Sequence, residues 1–365
     1  MKDRTKSIAA VRAAAVIPAV IGLLALTLAT AQQPPSSPLR ALTQPGSPSI
    51  TPNLARLDQT LGGLDGPGFA LAYDESTGVL AAACEGRSIH YWDKGVVAGV
   101  RGGSGTPNVL KEHGGPVTAL AWSSGPVLVS AGADKKILFW HMPDGQIVKS
   151  LTTDNVVRAL AMSPDGKTLA SAGEDATIQL WDVASAKAGA KLSGNSDWVL
   201  CLAFSNDGQR LASGGYDGTV RLWEVSTAKK ILDIPATPPL PPNTPAPPTN
   251  VVLSLAFSPD GKQLAIGGVD TKIHLFNMAD GKLARSVPGH TGSVTGLAFH
   301  PSGTVLASCS KDRTVRLWNP ANGQPLAPKP LEGHTAWVQG VVFVAQGTRL
   351  ASIGADRTVR LWNLK

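Results

Sequence analysis

One twelve-residue phrase constrains this chain more than any other feature. Ser308–Asn319 reads SCSKDRTVRLWN, Ser352–Asn363 reads SIGADRTVRLWN, and Ser213–Glu224 reads SGGYDGTVRLWE. Each is a short apolar stretch, a tight turn carrying Asp, then a second stretch ending in Trp, the pattern of a β-hairpin. Aligned on the closing aromatic, the unit recurs at Trp92, Trp140, Trp181, Trp223, Phe276, Trp318 and Trp362, with spacings of 48, 41, 42, 53, 42 and 44 residues. A period near forty, strand-like throughout and without helical periodicity, predicts an all-β propeller: seven blades, each a four-stranded antiparallel sheet.

Other positions keep the same step. Ser130, Ser171, Ser213, Ser308 and Ser352 stand ten residues before the aromatic. Asp134, Asp175, Asp217, Asp270, Asp312 and Asp356 stand six before it. Further upstream come His113 and the pairs Gly289-His290 and Gly333-His334. On these residues the chain, from Leu54 to its end, resembles the WD-repeat β-propeller family. Blades two, six and seven hold complete sets: His113, Ser130, Asp134, Trp140; His290, Ser308, Asp312, Trp318; and His334, Ser352, Asp356, Trp362. Ser, His and Asp together suggest a catalytic triad, but a nucleophile site should occur once, beside an oxyanion hole. The resemblance implies instead a structural relay, Asp to His, His to hydroxyl, hydroxyl to the Trp indole. Blades three and four carry Thr153 and Asn195 in the His place. Blade five (Pro248, Ile266, Phe276) keeps only Asp270, and blade one (Leu64, Ala82, Gly86) keeps only Trp92. Those two blades are expected to rest mostly on packing.

The chain has a basic start with Lys2, Arg4, Lys6 and Arg12, then an uncharged stretch over 13–31 that closes on Ala29-Thr30-Ala31. This fits a secretory signal cut before Gln32, or an anchor giving membrane attachment through residues 8–31. The expected propeller is therefore an exported, bacterial-type one, periplasmic or at the cell surface. Residues 32–53 are rich in Pro and Ser and read as a flexible linker. The net charge of +7 is diffuse beyond the first residues, which argues against nucleic acid as a partner. Cys84, Cys201 and Cys309 are too few and too scattered for a disulfide framework, and read as small buried hydrophobes.

Over 54–365 the repeats run on, with two interruptions. Lys94–Glu112 is Gly-rich and lengthens the exit from blade one. Residues 235–249 (PATPPLPPNTPAPPT) form a Pro-rich insertion, expected as an exposed polyproline-like loop between blades four and five. Leu54–Leu61 precedes the first repeat in the place of an outer strand, while the chain ends three residues after Trp362, where that strand is missing. The N-terminal strand is thus expected to complete the last blade, removing an open edge.

Two positions per blade should reach the face where outer strands hand over to the next inner strand, here named the top. One is three beyond the His place: Pro67, Pro116, Val156, Trp198, Val251, Ser293 and Trp337. The other precedes the turn Asp: Glu85, Ala133, Glu174, Tyr216, Val269, Lys311 and Ala355. Trp198, Tyr216, Val251, Val269, Lys311 and Trp337 are the candidate partner-binding residues, because aromatic anchors dominate protein interfaces. Motifs for nucleotide, zinc or acyl-transfer chemistry are missing from the sequence. The expected function is a non-catalytic, monomeric protein-interaction scaffold without cofactor or metal, acting outside the cytoplasm. The alternatives are a hydrolase- or lactonase-like propeller enzyme with its site at the channel mouth, and a glycan- or cell-wall-binding module.

Overall fold

The computed structural model describes residues 51–52, 55–99, 105–123, 125–142, 144–236 and 250–365. The expected signal or anchor at 1–31, nearly all of the 32–53 linker and residues 237–249 of the insertion lie outside the described residues. Among the described residues, twenty-seven strands form seven antiparallel sheets, the propeller that the repeats predict. The inner strands are β2 (Gly68–Tyr73), β6 (Val117–Trp122), β10 (Val157–Met162), β14 (Val199–Phe204), β18 (Val252–Phe257), β22 (Val294–Phe299) and β25 (Val338–Val344). They are buried almost throughout, which is why they read as continuous apolar runs rather than alternating ones. Ala72, Ala121, Ala161, Ala203, Ala256 and Ala298, at the same step of six inner strands, are all buried; a larger side chain would not fit where sheets converge. Blades are also stitched to one another. The Thr118 hydroxyl donates to the Val157 carbonyl at 2.5 Å, and that of Thr295 to the Val338 carbonyl at 2.6 Å.

The ring closes as expected. β1 (Arg56–Leu61) pairs with β27 (Val359–Asn363), from Arg56 opposite Asn363 to Leu61 opposite Val359, with a bulge between Leu57 and Gln59. Leu61 is buried in one apolar cluster with Val359, Leu361 and Ile353 of the last blade and Leu80 and Trp92 of the first. Arg349 pairs with Asp58 at 2.6 Å and donates to the Val97 carbonyl at 3.0 Å, so one guanidinium ties the closing strand to blade one. Val97 ends α1 (Lys94–Val97), a single turn capped by the Asp93 side chain, which drops Val96 and Val97 into the same cluster. Upstream of β1, the Thr51 amide donates to the Leu364 carbonyl at 2.7 Å.

Two details differ from the sequence reading. Blade six has three strands, and its outer position is held by two isolated bridges, Val315–Leu331 and Trp318–Pro325. Pro325, Pro328 and Pro330 lack the amide a ladder needs, so the segment lies along the blade without forming a strand. Pro235, read as the start of the insertion, ends the outer strand β17 (Lys229–Pro235) opposite Thr219; an edge strand tolerates proline. The adjoining residue Ala236 is fully buried and donates to the Gly218 carbonyl at 2.9 Å.

Candidate functional site

In blades two, six and seven the repeated polar residues meet as one chain. His113 Nδ1 lies 2.9 Å from Asp134, its Nε2 lies 2.7 Å from Ser130 Oγ, and the Trp140 indole donates to that hydroxyl at 2.8 Å. The corresponding contacts are 2.7, 2.7 and 2.8 Å through His290, Ser308 and Trp318, and 2.9, 2.8 and 2.8 Å through His334, Ser352 and Trp362. Each Asp also accepts the amide that follows the His, from Gly114, Thr291 and Thr335, at 2.9, 3.0 and 2.9 Å. The three histidine side chains are 1% exposed, so every polar atom here needs a protein partner, and each has one. Burial would raise the Asp312 carboxyl, but the bonds from His290, Thr314 and Thr291 together with the His290 charge hold it well below the usual range. The same opposition brings Asp356 down to about 2. Burial holds His113 below its ordinary value, against the pull of Asp134.

Three of the four departing blades bring other polar groups to the same place. In blade four Arg221 replaces the imidazole: its Nη1 reaches Asp217 at 2.5 Å and Asn195 at 3.2 Å, while Ser213 still takes the Trp223 indole at 2.9 Å. In blade five His274, from the third strand, contacts Asp270 at 2.7 Å and Ser286 at 2.8 Å. Asn250, closing the insertion, donates to the Ala236 carbonyl and accepts the Asp270 amide at 3.1 Å. In blade one Asp65 replaces the missing turn Asp from the opposite side: Ser88 donates to it at 2.7 Å, Cys84 at 2.8 Å, and His90 Nε2 lies 3.2 Å away. The expectation that blades one and five rest mostly on packing is therefore corrected. Its signal was present: His90 and His274 both stand four residues after the turn position, and both are buried. Cys84 is buried as expected, but as a hydrogen-bond donor; its thiol is pushed up to about 12, by burial first and then by Asp65.

The two expected top positions are direct neighbours in every blade. The amide before the turn Asp donates to the carbonyl three beyond the His place: Tyr216 to Trp198 at 3.0 Å, Val269 to Val251 at 3.2 Å, Lys311 to Ser293 at 3.0 Å, Ala355 to Trp337 at 2.8 Å, and likewise in the other three. A bulge follows in the inner strand of all seven blades and turns these side chains off the sheet. The close approach demands glycine in places: a Cβ on Gly215 would lie 1.9 Å from the Trp198 carbonyl oxygen.

The candidates fall into two groups. Trp198 and Tyr216 meet edge to face at 5.6 Å and cover Leu200, Leu253 and Val251, with the Arg158 guanidinium over the Trp198 ring. Both rings are half-buried, so they are partly spent on their neighbours. Trp337 remains 37% exposed and Val269 39%. The Lys311 ammonium sits 4.7 Å over the Trp337 ring, and burial lowers its pKa.

The class defined here is a repeat propeller, built on a polar relay that recurs from blade to blade and a top face of paired side chains. The chain belongs to the WD domain, G-beta repeat family, which matches residues 106–141, 145–182, 187–224, 281–319 and 326–363, more than half of its length. The Anaphase-promoting complex subunit 4 WD40 domain matches 242–292, across the insertion. Among curated relatives, the nuclear distribution protein nudF of Aspergillus niger is 30% identical over 154 residues, 40% of this chain and 33% of that protein. The nuclear distribution protein PAC1 of Arthroderma otae is 39% identical over 72 residues, 20% of this chain and 16% of its own. The small ribosomal subunit protein RACK1 of Neurospora crassa is 35% identical over 77 residues, 20% and 23%. The chain thus spans a third or less of these relatives' lengths.

These findings correct the expectation of an exported, bacterial-type propeller acting outside the cytoplasm, periplasmic or at the cell surface. The relatives are fungal proteins, and their names speak of nuclear distribution and the small ribosomal subunit. Among the described residues no helix is long and apolar enough to cross a membrane. The cell-wall alternative falls with export. Membership of the WD domain, G-beta repeat family stands against the hydrolase- or lactonase-like alternative.

Proposed function

We propose that this chain is a non-catalytic scaffold whose top face, over blades four to seven, seats a protein partner. The observation that carries the reading is Trp337: a side chain 37% exposed just ahead of the inner-strand bulge, under the Lys311 ammonium. An aromatic ring held outward at fixed backbone is a preorganised anchor, and burying it against a partner removes apolar area from water at little entropic cost. Trp198, Tyr216, Val251 and Val269 extend that apolar path around the ring. Trp198→Ala/Trp337→Ala is the test, by quantitative affinity purification beside the unaltered chain. The reading expects specific partners to fall at least about tenfold while melting stays cooperative. Partner recovery unchanged in the double variant would exclude this face.

A further inference from the structure

The polar group at the top of blade one does not reach its own tryptophan. In five blades the Trp indole donates to a Ser hydroxyl. In blade one Trp92 donates instead to the Gly105 carbonyl at 3.0 Å, leaving Asp65, Cys84, Ser88 and His90 with no tryptophan to hold. The composition of the group is also different. Cys84 stands two before the turn position, where five of the other blades carry glycine. Gly86 stands where those blades carry Asp, and its bare backbone admits the Asp65 carboxylate, since a Cβ there would fall 2.0 Å from Oδ1. The outcome is one sulfur, one imidazole nitrogen and one carboxylate oxygen, all within 4.8 Å of one another.

We propose that the top of blade one is a binding site for a borderline-soft divalent cation of the zinc class, held by Cys84 Sγ, His90 Nε2 and an Asp65 oxygen, with the fourth position left to a solvent ligand. Mixed thiolate, imidazole and carboxylate donors are the set such a cation takes in tetrahedral geometry. Two of the three donors sit on strands: Cys84 ends β3 (Leu80–Cys84) and His90 lies within β4 (Ile89–Trp92). Asp65 comes from the loop before β2, and its side chain is 36% exposed, which gives the ion an approach. The donors now touch at hydrogen-bond distances, Sγ to Oδ1 at 2.8 Å and Nε2 to Oδ1 at 3.2 Å. An ion with bonds of about 2.0–2.3 Å needs donor separations of roughly 3.3–3.8 Å, so the Asp65 loop has to move out by about half an ångström. On binding, the metal–sulfur bond forms as the thiol proton, now donated to Asp65, leaves to water.

Cobalt(II) added to the reduced, chelator-treated full chain reads the site directly, because thiolate ligation produces a charge-transfer absorption. The result expected is saturable uptake of one cobalt per chain with that absorption, displaced by added zinc. Cys84→Ser removes the absorption, whereas Cys201→Ser and Cys309→Ser, at buried strand cysteines far from the group, leave it intact. Asp65→Asn, at the partly exposed ligand, weakens cobalt binding at least about tenfold without unfolding the chain. The proposal is overturned by a chain that takes up no cobalt with sulfur absorption, the behaviour of a relay alone. An absorption that survives Cys84→Ser overturns it equally.

Discussion

Asp356 accepts from the Thr358 amide and hydroxyl, from the Thr335 amide and from His334, through two oxygens whose side chain is only 4% exposed. It thereby fastens the top turn to the loop that enters the blade. Its folded pKa of about 2 lies below the unfolded value, so the native state binds fewer protons there. The stability it contributes is complete above about pH 4 and is lost as pH falls toward 2. Asp356→Asn should therefore lower stability at neutral pH and flatten the decline between pH 4 and 2, as measured by denaturant unfolding across that range. The residue after each turn Asp has positive φ: Lys135, Ala176, Thr271, Arg313 and Arg357 lie between 59° and 71°, and only Gly218 does so without steric penalty. Arg357, exposed and unused by the relay, should become Gly with a gain of about 0.5–1 kcal/mol, read as a raised denaturation midpoint. At this scale the Ser, His, Asp and Trp of blades two, six and seven could be read from spacing alone. Asp65 could not, because it reaches its partners from the opposite strand connection and shares no register with the turn Asp it replaces.

A blade has a fixed task, to lock a hairpin turn to the loop above it, and the structure meets it with different chemistry. His carries it in three blades, Arg221 in blade four and His274 in blade five. Periodicity exposes a residue type that repeats at a fixed step; it hides a substitute drawn from another strand. That is why blade five looked bare in the sequence although the buried His274 joins the half-buried Asp270 to Ser286 at the surface. His274→Leu should cost about 0.5–1.5 kcal/mol by removing the bonds to Asp270 and Ser286, both of which can still reach water, measured by thermal or denaturant unfolding. A cost near zero would return blade five to packing alone. The outer segment of blade six teaches the converse: the period of forty promised a fourth strand, and three prolines within it reduced that strand to two bridges.

The whole molecule depends on closure. Seven sheets that converge on an axis leave one seam, and the sequence marked it through an unpaired strand at one end and a missing strand at the other. Pairing of β1 with β27, the buried Leu61 and the Arg349 tie to Asp58 and Val97 seal that seam. A sealed ring keeps the top turns at fixed relative positions, which is what makes separated residues such as Trp198 and Trp337 usable as one surface. The choice of partner was not legible, because exposure and backbone pairing define where a surface is, not what it fits. Hydrogen exchange by mass spectrometry over 56–61 and 359–363 of the full chain tests closure most directly. The account predicts that the two segments share slow exchange and lose protection together only on global unfolding. Exchange over 56–61 at the rate of an unstructured chain, with 359–363 still protected, would contradict it.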